Sequence, residues 1–355
     1  ITIQDTTAPT WSTTAASLNA TIECSNATAI AAAQAQFPVA ADNCDSDVTN
    51  IVKNAGQFVA SEECPNAGTY TNTWTVTDAC GNTSEVFTQT INIIDTTAPN
   101  WTTAVSSLDI TLECSDVNGL ATVQAQFPVA ADNCDSDVTN IVKTAGQFVA
   151  SEECPNAGTY TNIWTVTDAC NNTSAVFTQV ITIQDTTAPQ ITTDATNLVV
   201  QCGIGMTGAL EQWIASNGGA IATDNCSIVT WSNNFNTIDN DCSAAVTVIF
   251  TATDACNNSS PTTATFNVQD TTAPTWSTAA NSLNQTVECN DATAIATAQA
   301  EFPVAADNCD SDVTNIVKTA GQFVSSEECS NAGTYTNTWT VTDACGNNSK
   351  VFTQV

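Results

Sequence analysis

Asp42, Asp45 and Asp47 crowd into the stretch DNCDSD, and Asp78 and Asn82 stand in a second loop, TDACGN. Asp5 heads a third, DTTAP. Hard oxygens drawn from several segments are the donor set of Ca²⁺, which takes about six to eight of them. The cluster recurs as Asp95, Asp132, Asp135 and Asp168, and again as Asp270, Asp307, Asp310 and Asp343. Solvated turn residues would carry the same composition, and the spacing matches no EF-hand loop. The candidate metal ligands are therefore Asp5, Asp42, Asp45, Asp78 and their repeats, with Ca²⁺ the only cofactor considered.

Catalysis finds little support. The chain has no His and no Arg, and four Lys. Paired carboxylates can hydrolyse glycosides, and Glu62–Glu63 recur as Glu152–Glu153 and Glu327–Glu328. Adjacent residues on a strand point to opposite faces, so these pairs do not converge. The reading is a non-enzyme. Four Lys against 36 Asp and Glu leave a net charge of −32, which repels nucleic acid and anionic membrane surfaces. No apolar run is long enough to span a bilayer.

The positioning elements repeat. DTTAP begins at Asp5, Asp95, Asp185 and Asp270, and Phe37–Cys80 returns almost unchanged as Phe127–Cys170 and closely as Phe302–Cys345. The period fits whole domains. Residues 1–4 read as the end of a preceding strand, followed by module 1 (5–94), module 2 (95–184), a divergent module 3 (185–269) and module 4 (270–355). The chain opens and closes inside the pattern, as a window on a longer array of the same repeat would. Thr69–Asp78 alternates strictly, with Tyr70, Asn72, Trp74, Val76 and Asp78 on one face, which is a half-buried strand. ACGN turns it into a second strand, EVFTQTINII. LNATIE, SDVTNIVK and GQFVAS are further strands. ATAIAAAQAQF predicts a short helical crossover, with TGALEQWIASNGG its counterpart in module 3. The expected fold is all-β, tandem immunoglobulin-like sandwiches arranged as a rod of roughly 150 Å.

Each module has four of the 16 cysteines. Even counts without His indicate disulfides and an oxidising, exported setting. A strand of nine residues keeps Cys64 and Cys80 roughly 30 Å apart, beyond disulfide reach. The favoured pairs are Cys24–Cys64 and Cys44–Cys80, one at each end of the sandwich. They repeat as Cys114–Cys154, Cys134–Cys170, Cys202–Cys242, Cys226–Cys256, Cys289–Cys329 and Cys309–Cys345. Cys24–Cys44 across the helix stays open as an alternative. Trp11, Trp101 and Trp276, with Trp74, Trp164 and Trp339, suit either core packing or a sugar-stacking platform, and burial decides between them. Lys53, Lys143 and Lys318 read as surface residues.

DTTAP at the joint, ADNC within the module and TDACGN before the last strand together resemble hyalin-type (HYR-like) repeats. More narrowly, they resemble the repeats of large flavobacterial surface adhesins, including those of gliding motility. The resemblance spans the chain, although module 3 has Asn225-Cys226-Ser227 where the others have NCDSD. It implies an immunoglobulin-like fold, type 9 secretion and a place on the bacterial outer surface. Asp-Thr-Thr also resembles the O-glycan acceptor pattern of that group, which makes Thr6, Thr96, Thr186 and Thr271 candidate glycan sites. The function implied is a structural stalk giving reach and stiffness, with lateral self-association open. The alternative is a Ca²⁺-dependent carbohydrate-binding repeat.

Overall fold

The computed structural model describes every residue except 239–243. The chain forms two compact units, Ile1–Gln184 and Asp185–Val355, and each is described by itself.

In the first unit, the strand Gly68–Val76 pairs antiparallel with Phe87–Ile94 on one side and with Ile51–Asn54 on the other. Val59–Ala60 joins its first residues. The inward residues are those of the alternating face: Trp74 and Val76 are fully buried, as is Ile91 on the partner strand. The turn between the two strands needs a left-handed residue, supplied by Gly81 in module 1 and by Asn171 in module 2; glycine and asparagine tolerate that conformation best. A second, two-stranded layer pairs Thr10–Trp11 with Ala40–Ala41. The sandwich expectation holds.

One pairing was not expected. Ala20–Glu23 runs parallel to Ile91–Ile94 at the edge of the large sheet. A parallel neighbour needs a crossover, and the helix Ala27–Gln34 begins the return. Asn26 caps that helix by accepting from the Ala29 backbone N–H at 3.0 Å. Module 2 repeats every element, with its helix at Val117–Gln124 and Asp116 as cap.

The second unit holds the divergent copy, with strands Leu198–Gln201, Ala245–Thr253 and Ser259–Gln269 and a longer helix, Met206–Ala215. Module 4 follows with Asn337–Val341 against Phe352–Gln354.

Candidate functional site: the joint between modules

The parallel edge strand decides where the cysteines go. Glu23 pairs with Ile94, the last residue before the DTTAP linker, and the Cys24 backbone N–H donates to Ile94 O at 2.8 Å. Cys24 therefore lies where the chain leaves the module. Gly68 pairs with Ile93, so Cys64, four residues earlier, lies at the same trailing end. The DNC loop follows the small sheet, and Cys80 follows the far end of the long strand, so Cys44 and Cys80 share the leading end.

Across the joint the trailing cysteines of module 1 meet the leading cysteines of module 2. Cys24 is bonded to Cys134 and Cys64 to Cys170, with Cα separations of 5.8 and 4.5 Å. Cys202 and Cys309 repeat the first of these bonds in the second unit. The intramodular pairs Cys24–Cys64, Cys134–Cys170, Cys202–Cys242 and Cys309–Cys345 are thus corrected. The ends were assigned rightly, but Cys24, Cys64, Cys134, Cys170, Cys202 and Cys309 each take a partner from the neighbouring module. Cys44–Cys80 and Cys289–Cys329 are corrected too, because all four are exposed free thiols. Cys114, Cys154, Cys226, Cys256 and Cys345 are disulfide-bonded. Cys242 lies outside the described residues.

The linker is packed into this joint. Pro99 and Pro274 are buried. Thr97 N–H donates to Asp95 Oδ1 at 3.2 Å, and the Asn172 amide donates to Asp95 O at 3.2 Å. Thr96 donates through its hydroxyl to Glu23. Asn133 Nδ2 reaches Ser25 Oγ at 3.1 Å and Thr97 Oγ1 at 3.3 Å. In the second unit Thr271 donates to Gln201 Oε1 at 2.9 Å, and Asn308 Nδ2 donates to Cys202 O at 3.2 Å.

The acidic cluster divides into two kinds of carboxylate. Asp168 is saturated: Oδ1 accepts from the Cys170 and Asn172 backbones, and Oδ2 from the Asn172 side chain. Asp135 accepts from Asp137 and Ala169. Asp42 and Asp78 are held as carboxylates below their usual range, Asp42 by N–H groups of Asp45 and Cys44 and Asp78 chiefly by Asn82. Such residues build their loops from within. Asp95 differs. Desolvation raises its pKa, and the charges of Asp132, Asp168 and Glu23 push the same way. The second oxygens of Asp95 and Asp132 are buried without a hydrogen-bond partner, as are those of Asp270 and Asp307. Of the candidate ligands, Asp95 with Asp132 and Asp270 with Asp307 keep an oxygen to offer a cation, and so does Asp42, whose other oxygen holds its own loop. One carboxylate oxygen of Asp95 lies within 4.8 Å of one on Glu23 and of Cys24 and Cys134 Sγ.

The tryptophans also divide. Trp74, Trp164 and Trp339 are fully buried, which removes them as a sugar platform. Trp11, Trp101 and Trp276 are half-buried, packed at 5.5 Å with tilted rings against Phe87, Phe177 and Phe352, and each donates its indole N–H to a backbone carbonyl. Lys53, Lys143 and Lys318 are half-buried, not plain surface residues. Their amino groups lie 5.1–5.3 Å from the centres of Trp74, Trp164 and Trp339 and donate to the helix carbonyls of Gln34, Gln124 and Gln299. The sequence reading missed a buried polar pair: Asn72 Nδ2 donates to Gln89 Oε1 at 3.0 Å, and Gln89 Nε2 donates to Leu18 O and Ala33 O. Its signal was present, a polar residue at an inward position of each alternating strand.

A family model described as HYR-like domain with 4 cysteines matches residues 12–93 and 277–355, and one described as LRR adjacent matches 146–190. No curated protein matches the chain. Among solved structures, a protocadherin gammaB7 EC3-6 cis-dimer structure is 12% identical, covering 98% of this chain and 99% of its own at a TM-score of 0.34. Drosophila N-cadherin EC1-4 is 12% identical, covering 95% and 97% at 0.25. At such scores these likenesses carry no argument. The matched segments lie in modules 1 and 4, which are similar to HYR-like domains with four cysteines.

Proposed function

We propose that the chain is a stalk segment of a bacterial cell-surface adhesin or filament, exported and non-catalytic, which supplies reach and resists stretching. The observation that carries this is the pair of disulfides crossing the joint, Cys24–Cys134 and Cys64–Cys170. A single covalent tie leaves a hinge, whereas two ties at separate points on one interface remove most bending freedom. The buried prolines of DTTAP act in the same direction. Glycans on Thr6, Thr96, Thr186 and Thr271 fit this reading, since all four are exposed at the joints. Asp95 and Asp132 would hold Ca²⁺ at the joint, neutralising two desolvated carboxylates. Stretching single molecules by their ends tests the stalk reading. Reductant should release the 110-residue separation between Cys24 and Cys134, adding on the order of 350 Å of extension. Equal extension with and without reductant would remove the mechanical role.

A further inference from the structure

The first unit and the second each hold a joint, and the equivalent disulfide sits in different electrostatic surroundings. In the first, the sulfurs of Cys24–Cys134 lie within 4.8 Å of a carboxylate oxygen of Glu23 and one of Asp95. An Asp95 oxygen also lies within 4.8 Å of Cys170 Sγ, so the second tie, Cys64–Cys170, has the same neighbour. Asp95 is 8% exposed and its Oδ2 has no donor, so its charge is weakly screened. Asn133 turns its amide away from the sulfurs, to Ser25 Oγ and Thr97 Oγ1. In the second joint, Asp270 matches Asp95 in burial and in its distance to the sulfurs of Cys202–Cys309. Gln201, however, stands in place of Glu23. Its Nε2, which donates to Asp270 Oδ1 at 2.8 Å, lies 3.7 Å from Cys202 Sγ and 3.9 Å from Cys309 Sγ. Asn308, the counterpart of Asn133, places its Nδ2 2.9 Å from Cys309 Sγ.

We propose that the joint of modules 3 and 4 is the redox-sensitive one, whose Cys202–Cys309 bond a small thiolate opens while Cys24–Cys134 stays closed. Thiol–disulfide exchange brings a thiolate onto one sulfur and expels another, so negative charge is present on sulfur throughout. Two carboxylates beside Cys24–Cys134 oppose every stage of that reaction. Beside Cys202–Cys309 one carboxylate is replaced by an amide, and two amide N–H groups face the sulfurs on which the charge appears. Access argues for the opposite order. Cys24 and Cys134 are both half-buried, whereas Cys202 is 3% exposed. A reagent needs to reach only one sulfur, however, and Cys309 is half-buried like Cys134. Access to the attacked atom thus differs little, while the charge beside it differs by a full unit, and charge should decide the order.

The reductant is a small monothiol, such as glutathione. Its thiolate attacks Cys309 Sγ, the S–S bond breaks, and Cys202 leaves as a thiolate facing the Gln201 amide. A second glutathione thiolate attacks the glutathione sulfur of the mixed disulfide, and Cys309 leaves as a thiolate beside the Asn308 amide. The two protons given up by glutathione return, through water, to the protein sulfurs. One protein disulfide and two thiols thus become two protein thiols and one oxidised glutathione. This difference between the joints holds whether or not the array serves as a stalk.

Timed reduction of the full chain tests this. The protein is held at about pH 8 in chelator with glutathione, new thiols are alkylated at intervals, and peptide mass mapping reads each bond separately. Cys202–Cys309 should open at least about tenfold faster than Cys24–Cys134. Gln201→Glu should slow the first of these, and Glu23→Gln should speed the second, each by at least about threefold. Both substitutions keep the oxygen that accepts from Thr271 or Thr96, and each installs the side chain that the other joint already holds, so the fold survives. Cysteamine, whose ammonium group offsets the charge of its thiolate, should narrow the gap between the two bonds. Equal rates, the reverse order, exchanged residues that leave the rates unchanged, or a gap as wide with cysteamine would each overturn the proposal. So would rates that do not rise with glutathione concentration, because opening of the joint, and not thiolate attack, would then set them.

Discussion

Modules 2 and 3 build one sandwich around different interiors. In module 2 the long strand carries Trp164, whose ring packs against Phe127 and Phe177, and Asn162 pairs with Gln179 beneath it. In module 3 the same strand positions hold Phe250 and Val248, and the partner strand has Thr262 and Ala264 in place of Phe177 and Gln179. The lost aromatic volume returns from another element. Trp213, on the helix, packs on Phe250 and Phe266 at 5.2 and 5.7 Å. Its indole N–H donates to Thr196 O at 2.9 Å, whereas the buried Trp164 N–H has no partner. Lys143 has no counterpart. The backbone pattern is thus compatible with a polar, strand-centred filling and with an apolar, helix-centred one. What the modules share most closely lies at their leading ends, in the DNC and TDAC loops.

The largest expected effect is on the helix-centred core. Trp213→Ala should destabilise module 3 by about 3–5 kcal/mol, read as lost amide-exchange protection on Ala245–Thr253. Trp164→Phe should cost less, about 1–3 kcal/mol, because the ring keeps part of the volume and the lost N–H was unpartnered, although no helix tryptophan refills module 2. If the two substitutions prove equally costly, the fillings are not distinct solutions.

Next comes the polar pair. Gln179→Met leaves the Asn162 amide and Leu108 O without their partner and should cost about 1–3 kcal/mol. Adding Asn162→Val removes the stranded amide, so the double variant should cost at least about 1 kcal/mol less than the two singles summed. Denaturant melts of all three measure the coupling, and simple additivity would show that the pair acts only by volume.

Lys143 offers a smaller, pH-dependent test. Burial lowers its pKa below the unfolded value. The unfolded chain then binds more protons between the two values, so stability rises with pH across that window and is level below it. Wild type should therefore gain stability on approaching pH about 10.4, and Lys143→Met should lack that gain. Parallel melting curves with the same slope would place the amine in water.

The two strands of each hairpin, the inward face of Tyr70 to Asp78 and the helical crossover were legible because alternation and helical composition are local. The joint was legible only in part. Ala20–Glu23 is too short to announce a parallel pairing, and without that pairing nothing shows that Cys24 sits beside the linker. Near-identical repeats compound the difficulty, since every intramodular partner has an equivalent in the next module. Gln89 escaped for another reason: its partners Leu18 O and Ala33 O are backbone groups brought near only by the crossover.

The comparison extends to the joints themselves, and there it turns on one charge. The joint of the first unit has Glu23 where that of the second has Gln201, whose amide donates to Asp270 Oδ1 at 2.8 Å. Asp95 has no such donor and is desolvated beside Asp132, Asp168 and Glu23. A carboxyl whose folded pKa is raised contributes its full stability below the unfolded pKa, about 3.9, and loses it as pH rises through the folded value. Asp95 therefore costs stability at pH 7 unless a cation shares its charge. In chelator, Asp95→Asn should raise the melting temperature at pH 7 and leave it unchanged near pH 3, because asparagine still accepts from Thr97. In millimolar Ca²⁺ the order should reverse, with wild type gaining more than the variant. In the second joint, where Gln201 already donates to Asp270, Asp270→Asn should change the response to Ca²⁺ less than Asp95→Asn does in the first. If Ca²⁺ moves neither wild type nor variant while the chelator result stands, the first joint holds a proton-sensitive carboxyl and no metal. If Asp95→Asn is neutral in both buffers, water already solvates Asp95 and the charge difference between the joints has no consequence for stability.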